Sequence, residues 1–181
     1  MPTLVVAVLA VGCGGGDETG GSEEEKPAPT SSPSASASVD PQSAAEAEVL
    51  AVYRNYWDAQ IDAYAKASPT DTDLDKYAYD KALTMAETEL VALMLNGNII
   101  TGEPVISPEV TAINLDESPM KATITDCVDV TDWKLVTAET GEEVPLSEEQ
   151  LRDPRYVTTA TVRTVGDTWM VVEVQPQDRT C

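Results

Sequence analysis

The chain has no histidine and no phenylalanine, and of its 181 residues only 11 are basic, against 32 acidic. Without histidine there is no Ser-His-Asp or Cys-His nucleophile and no His-bearing zinc or iron site. Any chemistry must then come from carboxylate, lysine, tyrosine or serine side chains. The large rings are three Trp and six Tyr, whose polar tips suit the wall of a half-open cavity or an interface better than a sealed core. A net charge of −21 repels phosphate backbones, so nucleic acid is not an expected partner. The same charge opposes an anionic bilayer, so a membrane tether would have to be covalent. Long apolar runs are missing too. The run over residues 4–11 covers about 12 Å as a helix, against a hydrocarbon core of about 30 Å.

That run fits the apolar core of an export signal, and it ends in Ala10-Val11-Gly12-Cys13. Small residues before a cysteine at this place resemble the lipobox of bacterial lipoproteins. The resemblance implies that residues 1–13 are a lipoprotein signal and lipobox, with Cys13 diacylated and the leader cut on its N-terminal side. It also implies an anchor on the outer face of the cytoplasmic membrane. Residues 14–43 are rich in Gly, Glu, Pro, Ser and Ala, with Val39 the one large apolar side chain, and so have nothing to bury. They read as a flexible spacer about 30 Å in root-mean-square length. The remaining residues, 44–181, are enough for one domain with a proper core.

Within 44–181 the hydrophobic period is first helical and then alternating, which is an α+β pattern. Ser43 and Glu46 have capping-box spacing. Val49, Val52, Tyr53, Tyr56, Trp57, Gln60, Ile61 and Tyr64 then form one stripe of a helix reaching about Lys66. Most of that stripe is expected core, with Tyr53, Tyr56, Trp57 and Tyr64 as candidates to line a pocket. Leu74 and Tyr77 fit a short helical turn. Ala82, Leu83, Ala86, Leu90, Val91 and Met94 fit one face of another helix, stopped by Asn96-Gly97, with Asp80, Glu87 and Glu89 on its wet side. Strands follow over 99–101, 105–115, 121–136, 156–165 and 168–175, the last two joined by a Gly166-Asp167 hairpin. In 121–136, Ala122, Ile124, Val128 and Val130 share one face, and Asp126 is the polar exception on it. The apolar parity changes after Asp132, which predicts a β-bulge near 131–132. In the last strand, Met170, Val172 and Val174 alternate onto one face and Trp169 and Val171 onto the other. Residues 137–149 read as a long acidic connection at the open end of the sheet.

With Cys13 committed to lipid, Cys127 and Cys181 remain, and outside the membrane two thiols in one small domain are expected to pair. Two distant cysteines with no histidine and no CxxC are expected to form a structural disulfide rather than a metal or redox site, and no cofactor is expected.

The helix 49–64, the Asp126-Cys127-x-Asp129-x-x-x-Trp133-Lys134 strand and the closing strand 169–174 with Cys181 resemble the nuclear transport factor 2-like superfamily. That is the cystatin-like cone also used by ketosteroid isomerases and polyketide cyclases. With the lipobox and the linker, the chain is similar to small secreted actinobacterial lipoproteins of this type. The resemblance implies N-terminal helices packed in a curved antiparallel sheet and an apolar pocket between them. Two functions are open on this basis. One is a non-catalytic binding or interaction module for a small apolar ligand or a protein. The other is an isomerase, cyclase or dehydratase in which Asp126 is the base and Tyr53 or Tyr56 donates to the developing oxyanion.

Overall fold

The computed structural model describes residues 40–70, 72–146 and 153–181. The export signal, Cys13 and most of the linker lie outside them. Helix α1 (Pro41–Lys66) starts earlier than the capping-box spacing predicts. Asp40, not Ser43, is the N-cap, and its carboxylate accepts from the Ser43 N–H at 3.4 Å. Pro41 follows at a position where its preset φ fits and its missing N–H costs nothing. The helix therefore begins three residues before position 44. The expected stripe is buried, with Ala59 and Ala63 added and Ile61 only half-buried.

Two further helices follow, α2 (Leu74–Tyr77) and α3 (Asp80–Asn96). Gly97 ends α3 in the left-handed region, with its N–H on the Leu93 and Met94 carbonyls. The buried face of α3 is Ala82, Ala86, Leu90 and Leu93. Steps of four, four and three keep these residues within about 80° of one another round the helix, leaving Val91 and Met94 off the stripe at 39 % and 43 % exposure.

The strands are β1 (Asn98–Thr101), β2 (Glu109–Asn114), β3 (Lys121–Asp129), β4 (Lys134–Thr137), β5 (Arg155–Val165) and β6 (Thr168–Pro176). Four of them form an antiparallel sheet in the order β2-β3-β5-β6, and β1 pairs with β4 in a separate ladder. On the inner face of β3, Ala122, Ile124, Asp126 and Val128 are at most 1 % exposed. Opposite them on β5 stand Val162, Ala160, Thr158 and Tyr156. The fold is thus α+β, helices first and antiparallel strands after.

Three strand expectations are corrected. The parity change near 131–132 is a break rather than a bulge. Asp129 turns its carboxylate onto the Thr131 N–H at 2.9 Å and onto the Thr131 hydroxyl, Trp133 N–H closes on the Val130 carbonyl, and the chain leaves for β1. Gly102 packs against this turn so closely that a Cβ would collide with the Asp132 carbonyl. The strand predicted over 105–115 is also interrupted. Val105 exchanges two main-chain bonds with Asp129, but Ser107 gives its N–H to the Asp126 side chain and Pro108 has none to give. The bulges sit elsewhere, at Thr111 of β2 and Val172 of β6. The second one resets the face of β6. Trp169, Val171 and Val174 lie opposite Thr164, Val162 and Ala160, so Val174 does not share a face with Met170 and Val172.

Cys127 and Cys181 are joined, with Cα atoms 5.9 Å apart and 54 positions between them in sequence. After β6 the tail continues along β5, where Gln177 N–H donates to the Val157 carbonyl at 2.8 Å and Val157 N–H to the Arg179 carbonyl at 2.9 Å. Ordering each tail residue costs about 1–2 kcal/mol of backbone entropy, whereas each such bond returns about 0.5–1.5 kcal/mol net. Two bonds do not hold five residues, so the covalent link does. Closing a loop of this length stabilises the fold by about 4 kcal/mol through the unfolded chain. Cys181→Ser should lower the unfolding free energy by about that amount in urea titrations. An unchanged midpoint under oxidising conditions would show that the link carries none of the stability.

Candidate functional site

The most unusual group in the interior is Asp126, 1 % exposed on a face of otherwise apolar residues. Strand β3 points it at α1, where the Tyr53 hydroxyl donates to its Oδ2 at 2.9 Å. The loop before β2 supplies the second donor, Ser107 N–H to Oδ1 at 2.6 Å. Burial pushes the Asp126 carboxyl above its ordinary range, and the bonds from Ser107 and Tyr53 pull partly the other way. Tyr53 is displaced upward by burial and then by the Asp126 charge, so it stays a protonated donor. Base and phenol are therefore bonded directly to one another. Each carboxylate oxygen already has a donor, so a substrate oxygen or C–H would have to displace one of them.

Around this pair the rings of α1 pack on Trp133 from the turn after β3. Trp133 stacks on Tyr64 at 6.0 Å with planes 6° apart and meets Trp57 edge-on at 5.6 Å. Tyr53 and Tyr56 each approach Trp57 at about 6.5 Å between centroids. The Tyr64 hydroxyl accepts from Gln60 and lies 3.2 Å from the Ala86 carbonyl and 3.3 Å from a Glu89 carboxylate oxygen. Glu89 is exposed on the wet side of α3, as assigned, but its carboxylate reaches the Tyr64 hydroxyl, and desolvation there raises its pKa. Burial first and Glu89 second raise the Tyr56 and Tyr64 hydroxyls as well.

Tyr53, Tyr56, Trp57 and Tyr64 are all at most 6 % exposed, and none of them lines either of the two large cavities. They fill the space between α1 and the sheet rather than wall a pocket there. The larger cavity is a groove of about 870 Å³ at the end of the sheet. Its walls are the turn and strand at 130–135, the part of the long connection at 143–146, the segment 153–156, and the tail 176–180. Trp133, Leu135, Val144, Leu146, Tyr156 and Pro176 make it mainly apolar, and Lys134 is already paired with Glu143 at 2.7 Å. A smaller hollow of about 480 Å³ beside the end of α1 is lined by Asp58, Asp62, Asp73 and Glu103 with Lys66. Among the described residues no group of acidic or cysteine side chains is placed to hold a metal ion.

The sequence reading singled out Asp126, Tyr53 and the Cys127–Cys181 pair, and the fold brings each to a partner. It missed the groove, whose walls come from four separated segments with no shared motif. The one local signal was the acidic connection at 137–149. No family model matches the chain, and no curated protein matches it. Among solved structures, the crystal structure of the intermembrane space region of chloroplast protein ARC6 is similar at a TM-score of 0.48 and 10 % identity. That match covers 80 % of this chain and 99 % of the other.

Removing one donor from Asp126 leaves a buried carboxylate short of a bond, so Tyr53→Phe should cost about 1–3 kcal/mol of stability. The charge has its own signature. Because the folded pKa is raised, the stability Asp126 permits is fully present below its unfolded pKa and is lost as pH rises through the folded value. Asp126→Asn should accordingly gain stability relative to the wild type as pH increases from about 4. A difference that is flat with pH would show that Asp126 ionises as readily folded as unfolded.

Proposed function

We propose that the folded domain is a non-catalytic binding module, carried on the outer face of a cell membrane by a lipid on Cys13 and held off it by the linker. The observation that carries this reading is the separation of chemistry from space. Asp126, the acid buried to 1 % exposure with the Tyr53 phenol beside it, is closed within the core, while the large apolar groove lies at the other side of Trp133. The groove is of the size that small-molecule sites have, and an apolar ligand is the class it suits. The disulfide supports an address outside the reducing cytoplasm. The long helix laid on the inner face of a bulged antiparallel sheet supports a cone of the nuclear transport factor 2-like kind, here filled by its own tyrosines and tryptophans.

The cone-enzyme alternative keeps one favourable observation, a buried carboxylate within hydrogen-bond reach of a tyrosine hydroxyl. It is the poorer fit because both carboxylate oxygens are occupied and neither large cavity reaches them.

A neutral solvatochromic probe, Nile red, tests the site. Leu135→Asp should weaken its binding about tenfold or more by placing a charge in the groove, and Tyr53→Phe should leave it within about twofold. The opposite ranking would put the binding site between α1 and the sheet. For the tether, Cys13→Ser expressed in an exporting host should move the protein from the membrane fraction to the medium, and unchanged fractionation would sink the lipid anchor.

A further inference from the structure

We propose that the Cys127–Cys181 disulfide is a redox latch on the groove, so that a dithiol reductant frees the tail and removes one groove wall while the helix-and-sheet core stays folded. Pro176, Gln177, Asp178, Arg179 and Thr180 all line the groove, and they form a single continuous wall. Beyond Pro176 that wall is held by the two main-chain bonds to Val157, by a local bond from the Gln177 side chain back to the Gln175 carbonyl, and by the disulfide. The bond lies at the chain terminus, with Cys181 exposed and Cys127 half-buried, so an incoming thiolate has access to it. Cys127 itself is paired with Val157 in the β3–β5 ladder, beyond the end of β2 and on the face away from Asp126, and the rest of that ladder runs from Lys121 to Asp126 without it, so losing the cross-link leaves the strand pairing intact.

The reaction is ordinary thiol–disulfide exchange. A thiolate of the dithiol attacks Cys181 Sγ, forming a mixed disulfide and expelling Cys127 as a thiolate that takes up a proton. The second thiol of the reductant then closes its own disulfide and releases Cys181 as a thiol. The dithiol loses two electrons and two protons, and the protein gains both as its two thiols.

Release of the tail stands on the geometry alone, while its effect on binding rests on reading the groove as the ligand site, so the experiment has two arms. In the first, amide exchange is followed on the whole exported protein with and without dithiothreitol. The Val157 amide, bonded to Arg179, should exchange at least about 100-fold faster on reduction, with Ile124 and Ala160 in the sheet centre slowed or sped far less. No change at Val157, or equal loss at all three amides, overturns the latch. The second arm reads Nile red, whose affinity should fall about tenfold or more on reduction. A variant with Gly-Gly-Ser-Gly inserted between Thr180 and Cys181 keeps the cross-link and its stability but slackens the wall, and it should show the same loss of dye without reductant. If Val157 loosens while the dye is unaffected, the tail is released but the groove is not the site, and the latch on binding fails.

Discussion

A carboxylate set among apolar side chains has to be met by donors, and most of this architecture follows from how Asp126 is met. Strand β3 presents it from the middle of the sheet, α1 answers with the Tyr53 hydroxyl, and the loop before β2 answers with the Ser107 amide. Those two bonds hold three segments that are far apart in sequence. They also explain why the loop cannot remain a strand, since the N–H that would have entered the ladder is spent on the side chain. The interaction orders the core at the expense of reactivity, because with a donor on each oxygen a substrate would have to displace one of those bonds to reach the carboxylate.

A second consequence concerns where empty space remains. Rings that might have walled a cavity are packed on one another from Tyr53 to Trp133, and the Tyr64–Trp133 stack seals the side of the interior towards the β3–β4 turn. The hollow is displaced to the far side of that turn. There it is bounded by connections rather than by regular elements. Loops do not pack as densely as a helix on a sheet, and a tail that follows the last strand needs a cross-link to be a wall at all. The groove offers the apolar lining that the core has otherwise consumed.

Several features were legible in the residues. The stripe from Val49 to Tyr64, the stop at Gly97, the Gly166-Asp167 hairpin and the apolar face of β3 each follow from local periodicity or turn chemistry, and all are present. Asp126 was visible as the odd residue on its face, though nothing nearby named Ser107 as its second donor. The misreadings have a common cause. A change of parity says that a strand's face has switched, but bulge, break and sheet exchange give the same pattern. Thus the break after Asp129 read as a bulge, while the true bulge at Val172 passed as regular alternation.

Composition and order alone determined the class of chain: no imidazole chemistry, a strong negative charge, helices before strands, and two late cysteines to be paired. These are properties of residue types and of spacing within a few turns, and they survive without knowing what touches what. Tertiary structure decided which tyrosine meets Asp126, whether the aromatic stripe lines a hollow or fills one, and where a groove opens. Those outcomes depend on contacts between segments dozens of positions apart, and the period of a helix or a strand carries no information about distances of that kind.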